Sequence, residues 1–429
     1  MKRKAHETMA DDLALAPEDM QWWRDAKFGM FLHWGVYAIP GRGEWVMFVE
    51  DMDVDEYRKL ADRFDPKGFD ARAWAKAAKD AGMKYMVLTA RHHDGFSLFD
   101  SKASDFTSVK TAAKRDFVAE YCDACREAGL RVGLYYSPMD WRFPGYFFPD
   151  LYRRNALAMK EQCWTQVREL MSNYGRIDIL WYDGAWLAHG GIGFDPGGRG
   201  WYQRTGGDAS ATWFWEPEKL NAMVRELQPK IVINPRSGWR GDFDTREGRT
   251  GEMQTGRPWE QCDTLTGTWG HIPGALMRSL RNCVQLLASV AVRDGNLLLN
   301  VGPTAEGIIE PRQVGRLAQV GEWLQRHGES IYGTRGGPFA AGGWGGSTYL
   351  GNTVYLHILD WPEDWLVLPS LQQRVVRSRS LTGTTVDVSQ TEETIEVSVP
   401  PPDRDATDTI ISLELEGVVS GNSASPEFP

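Results

Sequence analysis

A carboxylate stands at the end of an apolar segment with the character of a buried strand. Residues 177–182 are mostly β-branched and aromatic, and Asp183 and Gly184 follow directly. Catalytic groups of parallel α/β barrels lie where strands end. Strand alternation puts Trp181 and Asp183 on one face, so one pocket wall offers a flat ring beside an anion, as expected where a sugar is bound and attacked. The alternative is that Asp183 caps the next helix or forms a salt bridge.

Hydrogen-bonding and aromatic side chains also follow the other predicted strands. A pyranose needs such groups, because its hydroxyls form hydrogen bonds and its C–H face stacks on rings. If the strand ends converge on one mouth, these side chains could bind a sugar together. The candidates are His33, Glu44, Trp45, His92, His93, Tyr135, Tyr136 and Arg236.

The sequence His92-His93-Asp94 offers a metal site as an alternative. Adjacent residues of a strand point to opposite faces, and metal ligands usually have wider spacing. We therefore favour two neutral imidazoles that bind sugar hydroxyls, with no metal and no cofactor. A metal-dependent hydrolase that uses His92, His93 and Asp94 is the rival enzyme class.

A glycosidase that works through two carboxyl groups needs a second acid besides Asp183. Several acids follow Arg236, and some of them must be solvated loop charges. The sequence does not choose among these residues, which are Asp242, Asp244, Glu247, Glu252 and Glu260.

Predicted strands and helices alternate from about residue 27 to 330, which indicates parallel strands joined by crossover helices. We predict an α/β fold, a (β/α)8-like barrel rather than an open sheet. The predicted strands are 28–33, 85–90, 131–136, 177–182, 231–234 and 297–301. The predicted helices are 71–81, 116–128, 153–173, 217–227, 275–292 and 312–327. Glycines 82, 129 and 175 follow three of the helices as left-handed caps.

Two stretches do not fit this alternation. Residues 235–273 show only weak strand signals, so one or two barrel units are poorly marked. Residues 186–215 are rich in Gly, Trp and Asp without a period, which indicates a functional loop or a mobile one.

After Gly336 the chain changes to short strand patterns separated by Gly, Pro and Asp, which predicts a small antiparallel β-sandwich. The predicted organisation is a catalytic barrel over 1–336, a C-terminal β-sandwich over 337–420 and a disordered tail over 421–429. The predicted strands of the sandwich are 349–350, 353–358, 365–368, 374–377, 385–388, 394–399 and 409–415.

Composition narrows the function further. The net charge of −10 argues against nucleic acid or an anionic membrane as a partner. The 19 Trp residues suit stacking on sugar faces, although barrel cores also use Trp. Residues 1–10 lack an apolar stretch, so we expect a cytoplasmic protein, or a periplasmic or secreted one if a signal was removed. The five cysteines are expected to be reduced, and Cys122 and Cys125 lie in a helical pattern without further metal ligands nearby.

Five collinear motifs together resemble the α-L-fucosidases of glycoside hydrolase family 29. They are KFGMFLHWG at 27–35, RHHDGF at 91–96, GLYYS at 133–137, WYDG at 181–184 and GNLLLNVGP at 295–303. Their combination is far more specific than any one motif. The family has a barrel followed by a β-sandwich.

The resemblance implies a retaining exo-α-L-fucosidase that acts on fucosylated oligosaccharides or glycoconjugates. Asp183 would be its nucleophile. His33, Glu44, Trp45, His92, His93, Tyr136, Trp181 and Arg236 would line the fucose pocket. The stretch GDFDTRE at 241–247 resembles the setting of the acid/base, so Glu247 is the choice over Glu252 and Glu260. A sugar-binding protein that has lost catalysis is the rival outside enzymes.

Overall fold

The computed structural model describes residues 13–185, 192–194, 201–203, 214–383 and 385–419. Most of the predicted loop at 186–215 and the whole predicted tail at 421–429 lie outside the described residues. Among the residues that the structure describes, no helix combines the length and the apolar character that crossing a bilayer requires.

Eight parallel strands form the main sheet, which curls into the predicted barrel-like shape. They are β1 (Phe28–Leu32), β2 (Tyr85–Arg91), β3 (Arg131–Tyr136), β4 (Ile179–Tyr182), β7 (Val232–Ile233), β8 (Asp244–Glu247), β9 (Trp259–Thr264) and β10 (Gly295–Val301). Their order in the sheet is β7-β4-β3-β2-β1-β10-β9-β8. Between β4 and β7, the short strands β5 (Ile192–Phe194) and β6 (Trp201–Gln203) form a separate antiparallel pair.

Helices connect the strands and cover the outside of the sheet. They are α1 (Pro17–Ala26), α2 (Val46–Val49), α3 (Val54–Ala61), α4 (Ala71–Asp80), α5 (Phe117–Glu127), α6 (Pro144–Phe147), α7 (Arg153–Asn173), α8 (Pro217–Leu227), α9 (Leu280–Ala291) and α10 (Pro311–His327). Short 3-10 turns occupy Val36–Ala38, Pro235–Ser237, Gly328–Ser330 and Pro401–Asp403. Glycines 82, 129 and 175 have positive φ angles of 81°, 69° and 68°, as the helix-cap prediction requires.

A short connection, which includes Asp242 and Phe243, joins the edge strands β7 and β8. The backbone N–H of Asp242 donates to the carbonyl of Ile233 at 2.7 Å. The ring of Trp23, from α1, packs on Phe243 with 4.6 Å between ring centroids. Backbone hydrogen bonds pair β7 with β4 and β8 with β9, so side-chain packing covers the junction between the two edges.

Strands β8 and β9 lie inside the stretch whose strand signals are weak. β8 has the sequence DTRE and β9 has the sequence WEQCDT, so neither shows an apolar run. All six residues of β9 are nevertheless buried. These two strands supply the barrel units that the sequence pattern marks poorly.

The C-terminal part consists of two antiparallel sheets, as predicted for a β-sandwich. One sheet has the order β11-β12-β13-β18-β15 and the other β14-β17-β16. Their apolar inner faces share one core. The bounds are β11 (Arg335–Gly336), β12 (Gly345–Leu350), β13 (Thr353–Ile358), β14 (Trp365–Pro369), β15 (Val375–Ser380), β16 (Asp387–Gln390), β17 (Thr394–Ser398) and β18 (Thr409–Leu415).

The cysteines are all buried free thiols. Cys122 and Cys125 face the core from α5, where burial raises the pKa of both thiols. A raised pKa keeps a thiol protonated and poorly reactive, in agreement with a packing role for this pair.

Candidate active site

The carboxyl ends of the barrel strands surround an open pocket. Every side chain proposed from the sequence for the site contributes to its wall except Tyr136. The lining consists of Phe31, His33, Glu44, Trp45, His92, His93, Tyr135, Trp181, Asp183, Arg236, Glu247, Cys262 and Trp269.

Asp183 follows β4 and lies in the pocket wall with 14% of its side chain exposed. Its Oδ1 accepts a hydrogen bond from Nη1 of Arg236 at 2.9 Å, and its Oδ2 accepts one from the Tyr135 hydroxyl at 3.1 Å. Burial by itself would raise the pKa of this carboxyl, but Arg236, His93 and Tyr135 together hold it below its ordinary value. Asp183 is therefore an ionised, oriented carboxylate that a ligand in the pocket can reach.

Arg236 joins Asp183 to a second carboxylate. While its Nη1 binds Asp183, its Nη2 donates to Oε2 of Glu247 at 2.7 Å. Glu247 ends β8 and has 45% of its side chain exposed, so it lies at the open side of the pocket. One guanidinium thus holds two acids of different exposure at the same mouth.

A hydrogen bond with Asn300 holds the His33 ring in one orientation. The side-chain amide of Asn300 donates to the carbonyl of Trp269 at 2.7 Å, which turns Asn300 Oδ1 toward the imidazole. Nδ1 of His33 donates to that oxygen at 2.7 Å. Because burial lowers the pKa of His33 to about 3, the ring is neutral near pH 7 and its Nε2 is a hydrogen-bond acceptor.

His92 and His93 both reach the pocket, although neighbours on a regular strand would face opposite ways. β2 ends at Arg91, and its register with β3 shifts between Thr89 and Arg91, so the pair lies beyond the strand. Their ring centroids are 4.1 Å apart. Burial lowers the pKa of His93 to about 4 and that of His92 well below its usual value, so both rings are neutral near pH 7.

Asp94 does not join these histidines. It is fully buried and accepts hydrogen bonds from the Tyr57 hydroxyl at 2.6 Å and from the backbone N–H of Phe96 at 3.2 Å. Within the described residues, no three side chains of His, Cys, Asp and Glu are arranged to hold a metal ion. The set His92, His93 and Asp94, proposed as a metal alternative, is therefore not brought together.

The structure corrects the prediction for Tyr136, which is not a pocket residue. Its side chain is fully buried on the helix side of β3, where its hydroxyl donates to Oε1 of Gln166 on α7 at 2.9 Å. The preceding Tyr135 has the inward position, because it pairs in register with Trp181. Strand alternation places Trp181 and Asp183 on one face of β4. The same rule, applied to β3 in register with β4, selects Tyr135 for the pocket face.

Glu44 and Trp45 enter the pocket from the loop before α2. Oε2 of Glu44 accepts a hydrogen bond from the backbone N–H of Gly270 at 2.8 Å. Burial raises the pKa of Glu44 above its usual value. The ring of Trp45 packs edge-on against His93 with 5.4 Å between centroids. Both residues line the pocket and can contact a ligand there.

The other acids after Arg236 lie outside the pocket lining. Asp242 binds Arg225 at 3.1 Å, and Asp244 binds Arg257 at 2.6 Å. Glu260 lies in the barrel interior, where it accepts hydrogen bonds from Tyr85 and Trp181. Glu252 is likewise outside the pocket lining. Among the candidates for the second carboxyl, Glu247 is the one that lines the pocket.

Four lining residues were not among the site residues predicted from the resemblance, namely Phe31, Tyr135, Cys262 and Trp269. Phe31 and Tyr135 could have been found from strand alternation. Cys262 and Trp269 lie on β9 and in the loop after it, and β9 lacks the apolar pattern that marks a strand.

Comparison with known proteins identifies the family of this chain. A family model described as α-L-fucosidase matches residues 2–329. The chain belongs to the α-L-fucosidase family of glycoside hydrolases, family 29. It is 30% identical to an α-L-fucosidase of Branchiostoma floridae over 392 residues, which cover 80% of this chain and 79% of the relative. It is 27% identical to tissue α-L-fucosidase of Mus musculus, over 89% and 88% of the two chains.

Solved fucosidase structures extend the likeness to the whole architecture. α-L-Fucosidase isoenzyme 1 from Paenibacillus thiaminolyticus superposes with a TM-score of 0.79 at 36% identity, covering 93% of this chain and 99% of that one. A family 29 α-L-fucosidase from Bacteroides thetaiotaomicron gives a TM-score of 0.82 at 27% identity, covering 94% and 97%. That structure is a covalent intermediate trapped with 2-fluoro-fucosyl fluoride in a glutamate-to-glutamine variant.

Proposed function

We propose that this fucosidase removes terminal α-L-fucosyl residues from oligosaccharides or glycoconjugates with retention of configuration. Asp183 is the nucleophile and Glu247 the acid/base. The observation that carries the proposal is the guanidinium of Arg236, which binds Asp183 through one nitrogen atom and Glu247 through the other. A double-displacement glycosidase needs two carboxyl groups at one pocket mouth, and in such enzymes they are about 5–5.5 Å apart.

In the first step a carboxylate oxygen of Asp183 attacks the anomeric carbon, while Glu247 transfers a proton to the departing glycosidic oxygen. The glycosidic bond breaks and an ester bond forms between the sugar and Asp183. In the second step Glu247, now ionised, takes a proton from water, whose oxygen attacks the anomeric carbon and releases Asp183. The exposure of Glu247 suits this role, because both the leaving group and the water pass on its side.

The neutral histidines support binding of an uncharged, hydroxyl-rich ring. Nε2 of His33 can accept a hydrogen bond from a sugar hydroxyl, since its Nδ1 is occupied by Asn300. Trp181 offers an indole face in the same wall as Asp183. A pyranose held by acceptors and stacked on a ring would present its anomeric carbon to the carboxylate.

The nucleophile is tested by trapping and by substitution. Incubation with 2-fluoro-fucosyl fluoride should add one fluorofucosyl mass to the intact chain, and peptide mapping should locate it on Asp183. Asp183→Ala should lower kcat for an aryl α-L-fucoside by at least about a thousandfold, and azide should restore part of the rate with an inverted product. Asp178→Asn is the matched control, because Asp178 lies just before the same strand and pairs with Arg131 at 3.0 Å.

Near-normal turnover of Asp183→Ala, or a label on another residue, would overturn the nucleophile assignment. Absence of turnover by the wild-type chain on every aryl fucoside, with fucose still bound, would indicate a binding protein instead of an enzyme.

The acid/base is tested by leaving-group dependence. Glu247→Ala should damage hydrolysis of natural fucosylated oligosaccharides far more than that of a fucoside with an activated phenol, because such a phenol departs with little proton help. Glu252→Ala, outside the pocket, is the control and should resemble wild type on both substrates. If Glu252→Ala or Glu260→Ala shows this split while Glu247→Ala does not, the role belongs to that residue.

A further inference from the structure

An acid lies inside the barrel, one layer below the pocket. Glu260 and Cys262 share the inner face of β9, and Cys262 lines the pocket while Glu260 lies deeper. The Glu260 side chain is 1% exposed. The interior around this layer contains apolar and aromatic side chains such as Phe31, Val87 and Leu298. Burying a carboxyl group costs free energy unless hydrogen bonds compensate for its lost hydration.

Both oxygens of Glu260 are bound. Oε2 accepts a hydrogen bond from the Tyr85 hydroxyl at 2.5 Å, and Oε1 accepts one from Nε1 of Trp181 at 3.0 Å. Its hydrogen bonds within the described part of the chain come from these two groups and include no positive charge. Burial raises the pKa of Glu260 to about 7, as expected for an acid without a cationic partner.

The indole that Glu260 binds is in contact with the groups that hold Asp183. The guanidinium of Arg236 lies 4.9 Å from the centroid of the Trp181 ring. The ring of Tyr135 stacks on the same indole with 5.7 Å between centroids and 16° between planes. Arg236 and Tyr135 are also the hydrogen-bond donors of the Asp183 carboxylate. The indole is therefore in contact with both hydrogen-bond donors of Asp183.

An indole has one hydrogen-bond donor, and its direction fixes the rotation of the ring in its plane. An apolar residue at position 260 would fill the space but would leave the Trp181 N–H buried without a partner. The ring could then satisfy its donor only by turning, and a turn would displace Arg236 and Tyr135. The hydrogen bond to Trp181 therefore distinguishes Glu260 from a residue that only fills space.

We propose that Glu260 is a positioning residue, which orients the Trp181 indole from beneath and through it aligns the sugar face, Arg236 and Tyr135 with Asp183. The inference rests on the proposed function, because it takes the Trp181 wall as the sugar-binding surface.

The test compares two substitutions at one position. Glu260→Gln keeps an oxygen acceptor for the indole and can donate to the Tyr85 oxygen, so its kcat/KM for an aryl α-L-fucoside should stay within about threefold of wild type. Glu260→Leu removes the acceptor and should lower kcat/KM about tenfold at a temperature where the variant is fully folded, the size expected for one unsatisfied buried donor. Rescue by Gln but not by Leu is a pattern that loss of stability alone would not produce.

A double-mutant cycle shows whether the effect passes through Trp181. Trp181→Phe removes the indole N–H, so adding Glu260→Leu to it should cost less than about twofold more. Additive losses would overturn the inference, as would equal activity of Glu260→Leu and wild type. If Trp181→Phe alone leaves kcat and KM unchanged, the proposed sugar site fails instead, which separates the two claims.

If Glu260→Leu does not fold, the Glu260→Gln variant is measured by NMR instead. The observed signal is the indole N–H resonance of Trp181, which is assigned by its absence from the spectrum of Trp181→Phe. Its chemical shift should change, because an amide oxygen replaces the carboxyl acceptor. An unchanged shift would contradict the hydrogen bond on which the inference depends.

Discussion

Two adjacent tyrosines show how one position along a strand decides between binding and packing. Tyr135 donates to Asp183 inside the pocket, whereas Tyr136 donates to Gln166 in the layer beneath the helices. Both side chains are buried and have the same chemistry. Only the face of β3 distinguishes them, so the pair provides a matched comparison.

Tyr135→Phe should lower kcat/KM for an aryl α-L-fucoside roughly tenfold, because the carboxylate of Asp183 loses a charge-assisted hydrogen bond. Tyr136→Phe should leave kcat and KM unchanged and lower the free energy of unfolding by about 1 kcal/mol, since Gln166 loses a donor. Steady-state kinetics and denaturant unfolding of both variants check this. The reverse assignment of effects would mean that Tyr136 is the site residue after all.

The ionisation of Asp183 should depend on Arg236. Burial raises the pKa of Asp183 and Arg236 lowers it, so removing the guanidinium leaves the effect of burial less opposed and the pKa rises. The nucleophile must be ionised, so the acidic limb of the kcat/KM profile should move to higher pH in Arg236→Met. Profiles from about pH 3 to about pH 9 check the shift. Arg249→Met, at an exposed position just after β8, is the control and should keep the wild-type limb.

At the scale of elements, β9 explains why part of the barrel was hard to predict. Its polar residues look like those of a loop, but each has a partner that is distant in sequence or outside the strand. Glu260 binds Tyr85, Gln261 binds Thr250 at 2.9 Å, and Asp263 binds Arg278 at 2.7 Å. Buried polar groups are tolerated when they are hydrogen-bonded, so the tertiary partners make this segment a strand.

The turn after β4 requires a glycine at position 184. Gly184 has a φ of 72°, and a Cβ there would lie 2.9 Å from Cε1 of His93 and 3.0 Å from Oγ of Ser137. Gly184→Ala should therefore displace His93 and the end of β4, and should lower kcat about tenfold or more. Gly351→Ala introduces the same backbone strain at a φ of 62° in open space, so its activity should equal that of wild type. Equal kcat for both variants would contradict the prediction.

At the scale of the whole molecule, the buried residues His357 and Asp408 lie where the sandwich packs against the barrel. Nδ1 of His357, on β13, lies 2.7 Å from Oδ2 of Asp408, and its Nε2 lies 3.3 Å from the carbonyl of Ser330 after α10. All three residues are buried. The contact joins the sandwich to the last turn of the barrel, and none of the three lines the pocket.

His357→Leu should leave Asp408 buried without its partner and lower the free energy of unfolding by about 3 kcal/mol. The kcat of the folded fraction should not change, because the pair does not touch the pocket. Thermal unfolding and kinetics at a temperature well below the transition check both parts. Ser389→Ala, on an exposed position of β16, should melt like wild type. A large loss of kcat in folded His357→Leu would instead reveal coupling between the sandwich and the site.

Metal removal is the remaining test at this scale. The pocket histidines are expected to bind sugar hydroxyls, so dialysis against EDTA should leave kcat/KM unchanged, and elemental analysis should find no stoichiometric transition metal. One tightly bound metal ion per chain, lost together with activity, would overturn this expectation.

Local patterns in the sequence located the chemistry at the strand ends. Strand alternation and the position of catalytic groups in parallel barrels marked Asp183 and Trp181, whereas His92 and His93 enter one pocket together because β2 ends at Arg91. Tertiary contacts supply what these local rules do not reach. The contact of Glu247 with Arg236, the inward position of Tyr135 beside Asp183 and the role inferred for Glu260 all depend on contacts between different elements of the fold. Such contacts bury polar groups only where distant donors and acceptors meet, and a single stretch of sequence does not contain both partners.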